Sequence, residues 1–188
     1  MIMKINESWL SICNNALSRI NVSMLESLDE PQTSAILCKQ LLPICIGEVF
    51  NVRPWKSATK RYASTALKVA PEYGYKYQFL LPEDFVRIVS IDNMENDEWI
   101  REGRFILAEK SILQMRYIAI PDGADSISPL LLSAITSRLA SKLAPSLLGD
   151  THIGQVLLQE SIASIQLAIT EEDAGIKDEM YSTHDWRL

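Results

Sequence analysis

The spacing of apolar residues changes twice along this chain, and this change limits the fold more than any other feature. Over residues 6–20, 30–50 and 130–170, apolar side chains recur every three or four positions, as on one face of an α-helix. Between about residues 73 and 122 they alternate with polar side chains instead, as along a half-buried strand. The order indicates a helical chain that contains a β insertion.

Cap and turn residues locate the helices at the two ends of the chain. The first helix, residues 6–20, has Asn21 behind it, where a left-handed residue commonly ends a helix. The second, residues 30–50, contains Pro43, which should bend it because proline removes a backbone hydrogen bond. A third helix is predicted over residues 55–69.

Two further helices and several strands complete the pattern. The last two helices are predicted at residues 130–148 and 151–170, separated by Gly149 and Asp150. The predicted strands cover residues 75–79, 86–91, 98–101, 104–108 and 111–120.

These elements add up to a mainly α protein that forms one domain, residues 1–188. We expect a bundle of about five helices, within residues 6–70 and 129–170. A small antiparallel β insertion occupies about residues 73–122. Residues 171–188 begin acidic and have no helical period, so they are predicted to be an extended C-terminal tail.

Composition excludes some classes of function. The chain has 188 residues, of which 47% are hydrophobic and 22% charged, as in an ordinary globular protein. Its net charge of −6 argues against a protein whose main function is to bind nucleic acid, because such binding requires many Lys and Arg side chains. No signal peptide and no run of about 18 uninterrupted apolar residues are visible, so we expect no membrane segment and a cytoplasmic site of synthesis.

The three cysteines, Cys13, Cys38 and Cys45, lack the paired spacing of a metal or redox motif. Each lies among apolar residues and is therefore predicted to be a small core side chain in a reducing compartment.

The residues that catalysis or cofactor binding would need do not form a known pattern. His152 and His184 lie far apart in the sequence, and no glycine-rich phosphate loop or zinc-protease motif is present. Carboxylates cluster at residues 83–84, 92–98 and 171–173, where solvated turns and loops explain them better than a metal site or a general acid/base pair. We therefore expect no catalytic residue, no cofactor and no bound metal.

Two groups of side chains are candidates for binding. A basic group beside two aromatic residues is either the solvent-exposed face of a helix or a surface that contacts DNA or an acidic partner. Its members are Lys56, Lys60, Arg61 and Lys68, with Trp55 and Tyr62. A second group lies in the tail, where Trp186 either folds back on its own domain or docks into another subunit or a partner. The tail group comprises Tyr181, His184, Asp185, Trp186 and Arg187.

A structural corner is predicted at Leu81, Pro82 and Asp84. Pro82 fixes its own φ and keeps Leu81 extended, and the Asp84 side chain can bond nearby backbone. The sequence therefore predicts that this segment joins two strands.

Seven segments in one order along nearly the whole chain match the motifs of a known family. They are residues 15–20 (Asn-Ala-Leu-Ser-Arg-Ile), 27–30 (Ser-Leu-Asp-Glu), 54–61 (Pro-Trp, then Ala58, Lys60 and Arg61), 77–88 (with Leu81-Pro82, Asp84 and Arg87), 102–107, 139–144 and 185–187. Together these segments resemble the tail tubular protein A and head-to-tail adaptor family of tailed bacteriophages. Two positions depart from the family pattern. Asn21 stands where the family usually has Gly, and Phe85 where Cys is more common.

The resemblance implies a structural protein of the virion rather than an enzyme. Family members form a closed ring, typically of about twelve subunits, at the head–tail junction. The implied partners are further copies of the chain, the portal protein, and the tail tube or nozzle protein. Viral DNA would pass through the lumen without specific binding, and the protein would occur in the host cytoplasm during assembly.

Three other functions are weighed against this one. A head-completion or tail-terminator protein would share the setting but have a different ring symmetry. A virion-associated cell-wall hydrolase would need paired acids in a cleft. A nucleic-acid regulator should be basic and carry a recognition helix, whereas this chain is acidic.

Overall fold

The chain is a mixed α/β protein, and the prediction of a mainly helical bundle is wrong. The computed structural model describes the backbone of residues 7–182 and the side chains of residues 8–174. This part of the chain contains four α-helices, 48% helix overall, and 20% strand in two three-stranded antiparallel sheets. It divides into two compact units, a helical unit of residues up to 49 and from 122 onward, and a β unit of residues 50–121.

The helical unit is built around one buried helix. Its helices are α1 (Glu7–Arg19), α2 (Thr33–Phe50), α3 (Pro129–Leu148) and α4 (Thr151–Ser182). Helix α3 buries ten residues, including the polar Thr136, Ser137 and Ser141, so it is enclosed by protein on most sides. Helices α1 and α4 both pack against it.

Local chemistry ends these helices where the sequence indicates. Asn21 has a φ of 55°, and the N–H groups of Asn21 and Val22 donate to Ser18 and Leu17, which closes α1 in a Schellman motif. Gly149 ends α3 with a φ of 70°. Asp150 then accepts hydrogen bonds from the first N–H groups of α4 at 2.9 and 3.0 Å.

Polar side chains tie the helices of this unit together. The Arg19 guanidinium of α1 donates to Ser137 of α3 and pairs with Glu160 of α4. Ser161 of α4 is fully buried and donates to the Ala134 carbonyl of α3 at 2.9 Å. Such bonds fix the two helices in one register, because a buried hydroxyl without a partner would be costly.

The β unit consists of two antiparallel sheets. Sheet A has the order β1–β6–β3 and sheet B the order β2–β5–β4. The strands are β1 (Thr59–Thr65), β2 (Tyr77–Leu80), β3 (Phe85–Ile91), β4 (Trp99–Glu102), β5 (Phe105–Ala108) and β6 (Ile112–Ala119). Strands β2 to β6 begin and end within two residues of the predicted strands.

A shared core lies between the two sheets. Sheet B contributes Phe79 and Ile106, and sheet A contributes Leu113, Met115 and Tyr117. The stacking of Phe85 on Tyr117, with ring centroids 6.0 Å apart, extends this core along β3. Since alternate residues of a strand point to opposite faces, the residues between these positions face outward.

Residues 55–69 are not the helix that the sequence pattern predicts. Only Lys56–Ala58 form a short 3-10 turn, and Thr59–Thr65 form β1, which pairs with β6 over seven positions. The ladder pairs every residue of β1 with β6, so tertiary pairing overrides the helix propensity of the Lys, Arg and Ala residues in this segment.

The prediction of an extended tail from residue 171 is also wrong, because α4 continues to Ser182. Ala168 is the last buried residue among the described side chains of α4. The backbone remains helical to Ser182, which the helix-favouring Glu and Ala residues after position 170 permit.

Helix α2 is apolar enough in length and composition to cross a membrane, with a mean hydropathy of 1.4 over 18 residues. The core helix of a folded protein can be equally long and apolar. Five of its side chains, Cys38, Leu42, Cys45, Ile46 and Val49, are fully buried in the protein.

The close approach of α3 and α4 at Gly154 yields a stability prediction. A Cβ at Gly154 would lie 2.9 Å from the Ser141 carbonyl oxygen, whereas a Cβ at Gly47 of α2 would meet nothing within 4 Å. Gly154→Ala should therefore lower the free energy of unfolding by about 1–3 kcal/mol. Gly47→Ala, the matched control, should raise it by about 0.5–1 kcal/mol. Urea unfolding measures both, and equal effects would show that the helices do not meet closely at Gly154.

Candidate functional site

The Leu81–Asp84 segment leads the chain from one sheet of the β unit to the other. It follows β2 of sheet B and precedes β3 of sheet A. Leu81 is buried, its N–H donates to the Arg104 carbonyl at 2.9 Å, and the Arg104 guanidinium donates back to the Leu81 carbonyl at 3.2 Å. The Phe85 N–H closes the turn on the Pro82 carbonyl at 3.3 Å.

Asp84 connects three elements at this crossing. One carboxylate oxygen accepts from the Tyr117 hydroxyl at 3.0 Å, and the other pairs with the Lys60 ammonium at 2.9 Å. Its carbonyl accepts from the Ile120 N–H at 2.7 Å. These contacts bind Asp84 to β1 and β6, so its carboxylate is engaged in holding the β unit together.

The basic group predicted on a helix is divided by β1. Trp55 is buried, and Arg53 lies over its ring at 5.5 Å. Lys60 points toward Asp84, whereas Arg61, the next residue of the strand, lies on the outward side of sheet A. The group therefore does not form one continuous basic surface.

A cleft of about 430 Å³ lies within the helical unit, at the ends of α2, α3 and α4. Glu48 pairs with Lys142 at 2.9 Å and with Arg138 at 3.8 Å across its wall. Thr151 and Gly154 of α4 complete the lining. The only carboxylate of the lining is held by two cations, so no free acid faces this cleft.

The acidic clusters serve loops and helix surface. Asp92 accepts from Ser90 and from Arg116, and these bonds hold the pKa of its carboxyl below the usual value. A hydrogen bond from Lys110 lowers the pKa of Glu98 in the same way. Among the described residues, no group of three or more His, Cys, Asp or Glu side chains is arranged to hold a metal ion.

All three cysteines are buried and free in the helical unit. A hydrogen bond with Cys38 and burial together raise the pKa of the Cys13 thiol. Burial raises the pKa of Cys45 to about 12. The hydrogen bond from Cys13 lowers the pKa of the Cys38 thiol. All three thiols are packed as buried core side chains, and the raised pKa of Cys13 and Cys45 disfavours their nucleophilic thiolate form.

The predicted tail residues fall at the edge of the described chain. Tyr181 belongs to the α4 backbone. His184, Asp185, Trp186 and Arg187 lie outside the described residues, so their predicted interface role stays a prediction.

The sequence reasoning missed a second cleft, of about 380 Å³, on the outer side of sheet B. The loop before β2 contributes Glu72, Tyr73 and Tyr75, and the sheet contributes Glu102 and Phe105. Tyr73 is 87% exposed. Three tyrosines within five residues, around Gly74 with a φ of 89°, were the available signal for an exposed aromatic loop.

Removing the Asp84 carboxylate should destabilise the β unit. Asp84→Ala leaves the hydroxyl of the buried Tyr117 without this acceptor, so the free energy of unfolding should fall by about 2 kcal/mol. Lys60→Ala, which breaks the exposed ion pair but keeps the bond from Tyr117 to Asp84, should cost less than about 1 kcal/mol. Chemical unfolding of both variants measures the difference, and equal losses would assign the effect to the ion pair.

The buried thiols should resist modification in the folded protein. A rise in the pKa of Cys45 from 9.0 to about 12 lowers its thiolate fraction near neutral pH about a thousandfold. Ellman's reagent should therefore label the three cysteines only after unfolding. A Ser111→Cys variant supplies an exposed thiol as the control, and fast labelling of native Cys45 would contradict this assignment.

No protein-family model matches the chain, and no curated protein matches it either.

Proposed function

We propose that this chain is a non-enzymatic adaptor of the head–tail junction of a tailed bacteriophage, which forms a ring between the portal and the tail tube or nozzle. The proposal starts from the ordered resemblance described above. Several of the resembling positions stabilise this fold. The Asp84 side chain bonds to β1 and β6, and Leu139, Ala140, Leu143 and Ala144 are buried in α3.

The observation that carries the proposal is the length of α4. It has 32 residues, whereas its antiparallel neighbour α3 has 20. The difference of 12 residues corresponds to about 18 Å of additional helix. A helix that is longer than its antiparallel neighbour is suited to presenting the residues that follow it to another molecule.

We infer that the residues which follow this helix are the docking segment, with Trp186 as its anchor. Tryptophan contributes strongly when it fills a pocket at the centre of an interface. Tyr181 at the end of α4, together with His184, Asp185 and Arg187, would support it. Simultaneous docking of many subunits on one portal ring would multiply a weak individual contact.

A cell-wall hydrolase is the second candidate because Glu72 and Glu102 line one cleft with aromatic residues. Both side chains are exposed. A glycosidase needs one carboxyl group in a shielded site, where its pKa is raised enough to donate a proton. Release of reducing sugars from peptidoglycan, lost in Glu102→Gln, would favour the hydrolase over the adaptor.

The adaptor proposal predicts assembly that depends on the portal. The acidic subunit, with net charge −6, should be monomeric or loosely associated alone, because like charges keep free copies apart. Mixed with the portal protein of the genome that encodes it, it should form a closed ring, which native mass spectrometry would detect. Trp186→Ala and removal of residues 183–188 should weaken portal binding but leave thermal unfolding nearly unchanged. A chain that stays monomeric with the portal would refute the proposal, and a large drop in Tm with intact binding would assign these residues to the core.

A further inference from the structure

The two sheets of the β unit expose two unlike surfaces on opposite sides. Both sheets turn alternate residues toward the core that they share, so the remaining residues of each sheet face away from it. We name the outward side of sheet A face A, with Arg61, Ala63, Gln114 and Arg116. Face B is the outward side of sheet B, with Leu80, Ile100, Glu102, Phe105 and the adjoining residues Glu72 and Tyr73.

Face A carries a pair of arginines that the fold places side by side. Arg61 of β1 is the register partner of Arg116 of β6, and like charges directly opposite each other destabilise a ladder. Asp92 neutralises the charge of Arg116, since it accepts hydrogen bonds from the Arg116 Nε and a terminal nitrogen at 3.2 and 3.1 Å. The Arg61 guanidinium is exposed and donates no hydrogen bond within the described residues.

The surroundings of Arg61 leave room for an incoming group. A cleft of about 340 Å³ is lined by Arg61, Ala63, Asp92 and Gln114. Asp92 is already held by Ser90 and Arg116, so it offers Arg61 only a distant charge. A carboxylate from outside would neutralise Arg61 and also reduce its repulsion with Arg116.

Face B carries apolar, acidic and aromatic side chains, which complement the two arginines of face A. Leu80, Ile100 and Phe105 are 44%, 43% and 37% exposed, which is unusual for large apolar side chains in neighbouring strands. The carboxylates of Glu72 and Glu102 beside them make no hydrogen bond or ion pair within the described part of the chain. The ring of Tyr73 is open to solvent, and an arginine guanidinium can stack on such a ring.

We propose that face A of one copy docks on face B of the next, with Arg61 directed at Glu102 and the Tyr73 ring. Because the two faces lie on opposite sides of the β unit, the contact is heterologous, and repeating it builds a ring or a filament rather than a closed pair. The inference rests on the proposed adaptor function, for which it names the subunit interface.

A charge-swap cycle tests this interface. The full chain and its variants are mixed with the portal protein, and native mass spectrometry counts the subunits on each portal. Sedimentation equilibrium of the chain alone measures weaker self-association. Arg61→Glu and Glu102→Arg should each prevent ring closure and weaken self-association at least tenfold, whereas the double variant should recover both. Lys39→Glu and Glu26→Lys change the net charge equally on the helical unit and should assemble normally.

Mixing the two single variants gives an independent readout. Arg61→Glu subunits and Glu102→Arg subunits complement each other at both of their faces, so a one-to-one mixture should assemble in alternation. If the wild-type chain and each single variant form a ring on the portal equally well, the proposed contact between face A and face B is refuted, although the adaptor function stands. If the wild-type chain does not bind the portal, but self-associates and responds to the charge swaps as expected, the adaptor function fails and the interface stands. A wild type that neither binds the portal nor self-associates overturns both.

Discussion

The β unit depends on the pairing of its first strand with its last. Thr59 of β1 lies opposite Ile118 of β6, so the chain leaves this unit beside the point where it entered. A unit with adjacent ends can be inserted between α2 and α3 without changing how these helices fold, because domain insertion is tolerated when the ends meet. Asp84 reinforces the same pairing, since its carboxylate contacts Lys60 of β1 and Tyr117 of β6.

Sequence patterns predicted the elements that their own side chains determine. The end of α1 follows from Asn21 and the end of α3 from Gly149, because few residues adopt a positive φ. Strands β2 to β6 follow from local alternation and turn residues. By contrast, β1 forms because of a distant partner, β6, whose paired residues lie 47 to 59 positions away in the sequence, and no local pattern contains that information. The end of α4 was missed because residues 171–182 have no apolar period in the sequence that would indicate a helix.

The candidate surfaces were less predictable than the elements, because they are set by register. The sequence singled out Arg61 together with Lys60, but a strand directs neighbouring residues to opposite faces. Only the pairing of β1 with β6 brings Arg61 against Arg116. The corner at Leu81 to Asp84 was predictable because proline and aspartate constrain the local backbone. The hydrogen bond between Tyr117 and the Asp84 carboxylate depends on the bulged pairing of β3 with β6. No spacing rule in the sequence indicates this pairing.

A heterologous contact through the β unit and a docking segment beyond α4 would divide the work of assembly between them. A contact built on an exposed arginine and an exposed carboxylate is weak alone, because water and salt screen it. Such weakness is useful in a subunit with unlike faces on opposite sides, since a strong contact would let free copies polymerise into open filaments. A portal that binds each subunit through a separate segment raises the local concentration of neighbours, so the weak contacts then form together. Ring closure would thus be confined to the template, and the acidic charge of the free chain would oppose the same contacts elsewhere.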